Sequence, residues 1–294
     1  MAQFTRPHGP TLCFEQTGAR RDEPIVLIHG IGCQLIHWPA SLVEALAAAH
    51  LRVIRLDNRD MGLSASLDDL GLPDLSKVGE ADFAPPYRLH DMAADVVALL
   101  DHLGLAAAHI VGVSLGGMIA QRMAIEHADR VLSLTSIMSS SGNPTLPSGT
   151  DEAMAMLTTP PPSNAREDVI RHSIAASNVI GGPHYLSEAV GMAREAAAAY
   201  DRKHNPAGFA RQFAAASADR NRWEALSSIT APTLVIHGLA DPLVPPAAGE
   251  DTAARIPGAR LTLVERMGHD LPEPLVPELA TAIVGHLRQA TSAG

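Results

Sequence analysis

Cysteine is nearly absent: Cys13 and Cys33 are the only two in 294 residues. Two are too few for a disulfide framework, and they lack the Cys/His spacing of a structural zinc site. Both read as free thiols, and Cys33 is either a small buried residue or a second nucleophile. Positive charge is also short, with 22 Lys and Arg against 32 Asp and Glu and a formal net charge of −10. Such a chain repels phosphate backbones and anionic lipid, and no basic stripe overrides the total. Nucleic acid and membrane-surface partners are therefore excluded. No apolar run approaches the roughly 18 to 20 residues of a spanning helix, and the first thirty residues lack a basic-then-apolar secretory signal. The expectation is a cytoplasmic protein that starts at Met1. The remaining composition, 46% hydrophobic, suits one large globular domain or a domain with an insertion.

Short β-branched runs recur along the chain. The first, 25–28, is bounded by Pro24 and Gly30, as expected of a strand buried on both faces of a parallel sheet. Others lie at 52–56, 109–113, 131–138, 233–236 and 261–264, and 12–15 could add an antiparallel edge strand. Between them fall helical patterns at 38–49, 89–103, 115–127, 246–255 and 274–289. The second shows its face through Leu89, Met92, Val96, Leu99, Leu100 and Leu103, at steps of three and four. Strand and helix in alternation give βαβ units, hence an α/β fold with a mostly parallel sheet covered by helices on both faces.

Residues 139–222 break the alternation. They hold no strand-like run, begin with Pro, Ser and Gly, and continue as Ala-rich helical segments. Asn164 with Glu167 three residues on predicts a capping box, and Asn205 before Pro206 predicts an N-cap with proline at N1. A helical insertion between strands of a parallel sheet sits over the carboxyl ends of the strands, where such sheets bind ligands. The expected organisation is a core of 1–138 and 223–294 with a helical cap of 139–222.

The run Val111-Gly112-Val113-Ser114-Leu115-Gly116-Gly117 follows one strand and opens a helix. A serine at such a turn is held in strained backbone, and glycines two before and two after let neighbouring backbone pass closely. The turn aims the Ser114 hydroxyl out of the sheet, and the Leu115 amide at the helix start faces the same space as an oxyanion donor. A serine nucleophile needs a base, and the base an orienting acid. In this topology the chain order is Ser, then Asp or Glu, then His, each after a later strand. Asp241, in His237-Gly238-Leu239-Ala240-Asp241-Pro242, and His269, in Met267-Gly268-His269-Asp270, fit that order. Asp270 and Glu273 read as solvated or helix-start charges.

The second oxyanion donor belongs to the loop after the first buried strand, His29-Gly30-Ile31-Gly32, which makes the Ile31 amide the candidate. The segment Asp57-Asn58-Arg59-Asp60-Met61-Gly62-Leu63-Ser64 reads as a structural turn with an Arg/Asp pair bracing the site face. Asp91 and Asp95 read as surface charges. Trp38 is a packing residue or a pocket wall, and it stands with Met154 and Met156 as a candidate substrate contact. Those methionines join Leu157, Ile170, Ile174 and Met192 in an adaptable apolar cap surface. No Arg or Lys cluster marks the strand-end loops, so the expected substrate is uncharged or weakly cationic.

On these residues the chain resembles the α/β-hydrolase superfamily over nearly its whole length. The Asp57-Asn-Arg-Asp-Met-Gly-Leu-Ser turn and the Gly268-His-Asp-Leu-Pro close are similar to bacterial carboxylesterases of the aclacinomycin methylesterase type, and to serine-dependent macrolide esterases. The resemblance implies hydrolysis of a small-molecule ester or lactone, such as a polyketide methyl ester or macrolactone, with neither cofactor nor metal. Serine at 114 excludes the relatives that need a carboxylate or cysteine nucleophile there. Carbon-carbon bond hydrolases, perhydrolases, acyltransferases and hydrolase-fold ligand receptors stay open, because they differ in pocket and cap rather than in motif.

Overall fold

The computed structural model describes residues 1–185 and 189–292. Eight strands form one sheet: β1 (Ala2–Thr5), β2 (Thr11–Thr17), β3 (Glu23–Ile28), β4 (Leu51–Leu56), β5 (Ala108–Val113), β6 (Val131–Ile137), β7 (Thr233–Gly238) and β8 (Arg260–Val264). Their spatial order is β1-β2-β4-β3-β5-β6-β7-β8. From β4 to β8 every pairing is parallel, whereas β1 and β2 run antiparallel at one edge. The order reverses direction around β3, the switch at which an open α/β sheet leaves a crevice beyond its strand ends.

Strand alternation divides the core in two. Val26 and Ile28 of β3 face one side with Ile110 of β5, under α2 (Leu89–His102) and α3 (Leu115–Glu126). Ile25 and Leu27 face the other with Val111, under α1 (Ala40–Ala48). Neighbouring residues of a strand point to opposite faces, so a continuous apolar run suits a sheet covered on both.

Between β6 and β7 lie α4 (Asp151–Thr158), α5 (Arg166–Ile180), α6 (Ala189–Arg202), α7 (Pro206–Ser217) and the short α8 (Arg222–Ala225). Two more, α9 (Pro246–Arg255) and α10 (Val276–Ser292), complete the cover, and α10 joins α1 over the second core. No helix among the described residues is long and apolar enough to cross a membrane.

Several expectations need correction. β1 was not legible in the sequence: only Phe4 of its four residues is buried, and its pairing with β2 depends on the turn between them. β8 is not buried on both faces, since Leu261 and Leu263 are exposed at the open edge. α1 starts at Ala40 rather than Trp38, because Pro39 follows Trp38 and disfavours helical backbone there; Trp38 is extended, with ψ of 125°. The 164–167 capping box does not form. Ala165 is the N-cap of α5, the Asn164 side chain bonds His204, and the Asn164 carbonyl accepts from Tyr200. Asn205 does cap α7, accepting the Gly208 N–H at 3.1 Å with Pro206 at N1.

Asp95 is not a surface charge. It is buried and accepts two bonds from Arg59, at 2.7 and 2.8 Å, plus one from Arg6 at 3.0 Å. Asp91 receives the Arg88 N–H at 2.8 Å at the start of α2. Two further pairs, Asp57 with Arg202 and Asp60 with Arg211, join the 57–60 turn to α6 and α7. Removing one member of such a buried pair strands a charge and costs about 3 to 5 kcal/mol.

His286 of α10 gives the fold an acid-sensitive point. Its Nε2–H donates to the Leu134 carbonyl, and Nδ1 accepts from Arg260, both at 3.2 Å, a pattern only neutral imidazole can make. Burial first, then the Arg260 charge, lower its pKa from 6.5 to about 4. A lowered histidine binds its proton more readily when unfolded, so its contribution is complete above pH 6.5 and falls away toward pH 4. The loss amounts to about 3 kcal/mol. Urea midpoints from pH 7 to 4 are expected to fall less steeply in His286→Gln than in the parent; equal slopes would refute this.

Candidate active site

Ser114 joins β5 to α3 with φ 55° and ψ −119°, a conformation that costs a non-glycine residue on the order of 1 to 3 kcal/mol. The residues two before and two after it must be small for backbone reasons. A Cβ on Gly112 would lie 2.1 Å from the Gly116 carbonyl oxygen, and one on Gly116 would lie 2.0 Å from that of Ile28. The two glycines therefore let the elbow close on itself and on β3. The Ser114 N–H donates to the Ile137 carbonyl at 3.0 Å, and its own carbonyl accepts from Ser139 Oγ at 2.7 Å.

His269 Nε2 lies 3.0 Å from Ser114 Oγ, and Nδ1 lies 2.8 Å from Asp241 Oδ2. The other Asp241 oxygen accepts the Leu243 and Val244 N–H groups, both at 2.9 Å. Burial alone would raise the Asp241 carboxyl, but the charge of His269 and bonds from His237, His269 and Val244 hold it at about 2. Asp241 is thus a fixed anion, so Nδ1 carries the proton and Nε2 is free to accept one from the hydroxyl. The chain can pass a proton from serine to imidazole while the carboxylate stabilises imidazolium.

Gly30 brings the loop after β3 against the serine: a Cβ there would be 3.2 Å from Ser114 Cβ and 3.6 Å from Oγ. Among the described residues, neither the Ile31 nor the Leu115 amide donates to a protein acceptor. Cys33, half-buried in this loop, has its thiol pushed up to about 12 by burial and by Asp270, so it stays protonated at neutral pH and is no thiolate nucleophile.

The inserted helices touch each of these loops. The His269 N–H donates to the Ile180 carbonyl at the end of α5, at 3.0 Å, and the Thr150 N–H before α4 donates to Pro242 at 2.8 Å. On α5 itself no residue is fully buried. Met154 and Met156 of α4 are half-buried, as are Leu157, Ile170, Ile174 and Met192. Trp38 needs correction as a substrate contact. It is 1% exposed and packs edge-on to His29 at 5.0 Å, supporting that loop from within the core. Asp270 and Glu273 are exposed, and Glu273 opens a short turn before α10. A cavity of 290 Å³ opens between Ile36 and His37 on one side and Arg194, Glu195 and Ala198 of α6 on the other. A second, of 630 Å³, lies near Phe83, Arg88 and Arg220 and is lined by no residue of the serine site.

The sequence reading missed His237, Gln34 and Gln212. His237 is buried at the end of β7, donates from Nε2 to the Val244 carbonyl at 2.8 Å, and lies 3.5 Å from Asp241. Its place four residues before Asp241 was the available signal. For the glutamines no local signal existed, because the partners of their side-chain amides are 153 to 180 residues away.

The chain is 32% identical over 307 residues to the rhodomycin D methylesterase DnrP of Streptomyces peucetius, with 96% of each chain covered. Among solved structures, a hydrolase from Pseudomonas aeruginosa PA01 superposes with a TM-score of 0.72 at 26% identity, over 99% of this chain and 97% of that one. The enol-lactonase of Burkholderia xenovorans LB400 shares the fold, with a TM-score of 0.72 at 24% identity, over 98% and 100% of the two chains. The family model for the alpha/beta hydrolase fold matches residues 23–273, from β3 through the loop that follows His269. By that match, and by the likeness to the methylesterase along its length, the chain belongs to the α/β hydrolase fold family.

Proposed function

We propose that this protein is a serine hydrolase that cleaves a carboxylic ester or lactone through a covalent acyl-enzyme. The observation that carries the reading is the continuous relay Ser114 Oγ, His269, Asp241, at 3.0 and 2.8 Å, on a strained elbow. Ser114 Oγ attacks the ester carbonyl as its proton passes to His269 Nε2, and the Ile31 and Leu115 amides receive the oxyanion. His269 then protonates the departing alkoxide oxygen, leaving the acyl group on Ser114. Water, deprotonated by His269, attacks that acyl carbon, and the serine leaves with its proton restored.

Residues 139–222 act as a cap on a core of 1–138 and 223–294. The half-buried apolar side chains of α4 and α5 supply the surface under which substrate binds, Met154 and Met156 among them. The arginines that meet the 57–60 turn are already paired with carboxylates, so they offer no free partner for a substrate anion. The likeness to a methylesterase of rhodomycin D supports a bulky, uncharged or weakly cationic ester or macrolactone.

The test is kcat/KM across matched substrates: a short aryl ester, a methyl ester of a bulky polycyclic acid, a macrolactone and emulsified triolein. The bulky ester or macrolactone is expected to exceed triolein by at least about tenfold, a difference one or two apolar contacts can supply. EDTA is expected to leave the rates unchanged, because serine and imidazole supply nucleophile and base. Preference for triolein, or for a carboxylate beside the scissile bond, would remove the substrate assignment.

A further inference from the structure

Gly32, one residue past the proposed oxyanion donor, is gripped by two side chains one turn apart on α7. Its N–H donates to Gln212 Oε1 at 3.0 Å. Its φ is +70°, and a Cβ there would lie 2.9 Å from Cδ2 of Phe209. Gln212 is fully buried, and its Nε2 donates to the Arg59 carbonyl at 3.0 Å. One partner is a donor and the other an acceptor, so a single orientation of the amide satisfies both.

The far end of the loop is tied in the same way. Gln34 Nε2 donates to the Ala199 and Lys203 carbonyls where α6 ends, at 2.8 and 2.9 Å, and Oε1 accepts from Arg202 at 2.7 Å. α7 is itself fixed to the core: Arg211 holds the Asp60 carboxylate at 2.7 and 2.9 Å, and Asn205 Nδ2 donates to the Asp60 carbonyl at 2.8 Å. The loop that lies against Ser114 through Gly30 thus takes its shape from the inserted helices as well as from the strand it leaves.

We infer that Gln212 is a positioning residue for the oxyanion hole, setting the Ile31 amide by holding the next peptide in place. Taking the Gly32 N–H fixes the Ile31–Gly32 peptide plane, which leaves the neighbouring Ile31 N–H for the developing oxyanion. Preorganised donors act only if they are aimed before charge develops, and small misplacements are costly. The inference rests on the serine-hydrolase reading above, and it makes the seating of α7 a condition for transition-state stabilisation rather than for substrate binding.

The experiment compares Gln212→Met, which keeps the shape and loses both bonds, with Gln212→Glu, which keeps an acceptor for Gly32. Each is assayed for kcat, KM, Tm and affinity for phenylboronic acid, whose boron adds to a serine oxygen as a tetrahedral mimic. Gln212→Met is expected to lower kcat by roughly 10- to 100-fold, short of the 10²- to 10³-fold for outright loss of a donor. KM is expected to stay within about twofold, boronate affinity to fall in parallel with kcat, and Gln212→Glu to lose less. If Gln212→Met does not fold, Phe209→Ala loosens the other side of Gly32 and carries the same expectation. A folded variant with unchanged kcat and boronate affinity, or a loss confined to KM, overturns the role. Ser114→Ala on the same substrate separates the two failures: if it stays active, the serine reading fails, and if it is dead while Gln212→Met is normal, only the positioning role fails.

Discussion

Ser114→Ala is expected to lower ester turnover by a factor on the order of 10⁶ while leaving substrate affinity within a few-fold of the parent. The reason is the position of the hydroxyl. Its oxygen is the atom 3.0 Å from His269 Nε2, and Cys33, the nearby alternative thiol, has its pKa raised to about 12. The pocket and the amides of Ile31 and Leu115 survive the substitution, so a planar substrate still binds and only the covalent step is lost. The change adds no bulk at the tight elbow, and Gly112 and Gly116 keep their close approaches. Steady-state kinetics with one good ester checks it; turnover within tenfold of the parent would assign the nucleophile elsewhere.

Asp241→Asn is the second large effect, expected to be about 10⁴-fold in kcat. The carboxylate accepts the Nδ1 proton of His269, whereas an amide can present its NH₂ there and favour the wrong tautomer. The fold loses less, because the asparagine carbonyl oxygen can still accept the Leu243 and Val244 N–H groups that hold Oδ1. Asp270→Asn and Glu273→Gln are the contrasting substitutions. Both residues are exposed, Asp270 accepts the neighbouring Leu271 N–H, and Glu273 accepts from Ser41. Each is expected to change kcat by less than about threefold, the scale of a surface substitution. If Asp270→Asn proved the crippling change, the acid would have to be redrawn.

How far the chain could be read in advance depended on how local each feature was. The Gly112, Ser114 and Gly116 spacing is a constraint within five residues, and the close approaches at both glycines supply its physical cause. Asp241 and His269 were legible because each follows a strand whose apolar run is itself legible, so topology could bring them to one end of the sheet. β1 was not, since an edge strand with one buried side chain leaves no run to detect. Asp95 was misread because nothing local on α2 shows that Arg59 comes to it from 36 residues away. Trp38 could not be settled between packing residue and substrate contact, because an aromatic beside a site loop has the same sequence signature whether it faces substrate or supports His29 from the core.

The largest part left unread is the contact between the inserted helices and the loops. Thr150 meets the Asp241 loop, Ile180 meets His269, and Gln212 meets Gly32. Each is a backbone or glutamine bond with no charge pattern to announce it. Together they tie Asp241, His269 and the loop after β3 to one insertion. Under the proposed function, substrate that seats the insertion would also seat these loops, which would connect the substrate class to the rate of the chemical step.

The covalent intermediate is the most direct point of attack. Mixing enzyme with excess of a slowly deacylating aryl ester, quenching in acid within the first turnover, and weighing the intact protein and its peptides reads it in one measurement. The expected result is a mass gain of one acyl group per chain, carried by the peptide containing Ser114 and absent from Ser114→Ala. Full turnover with no acyl group on any peptide, or with the acyl group on another residue, would contradict the mechanism.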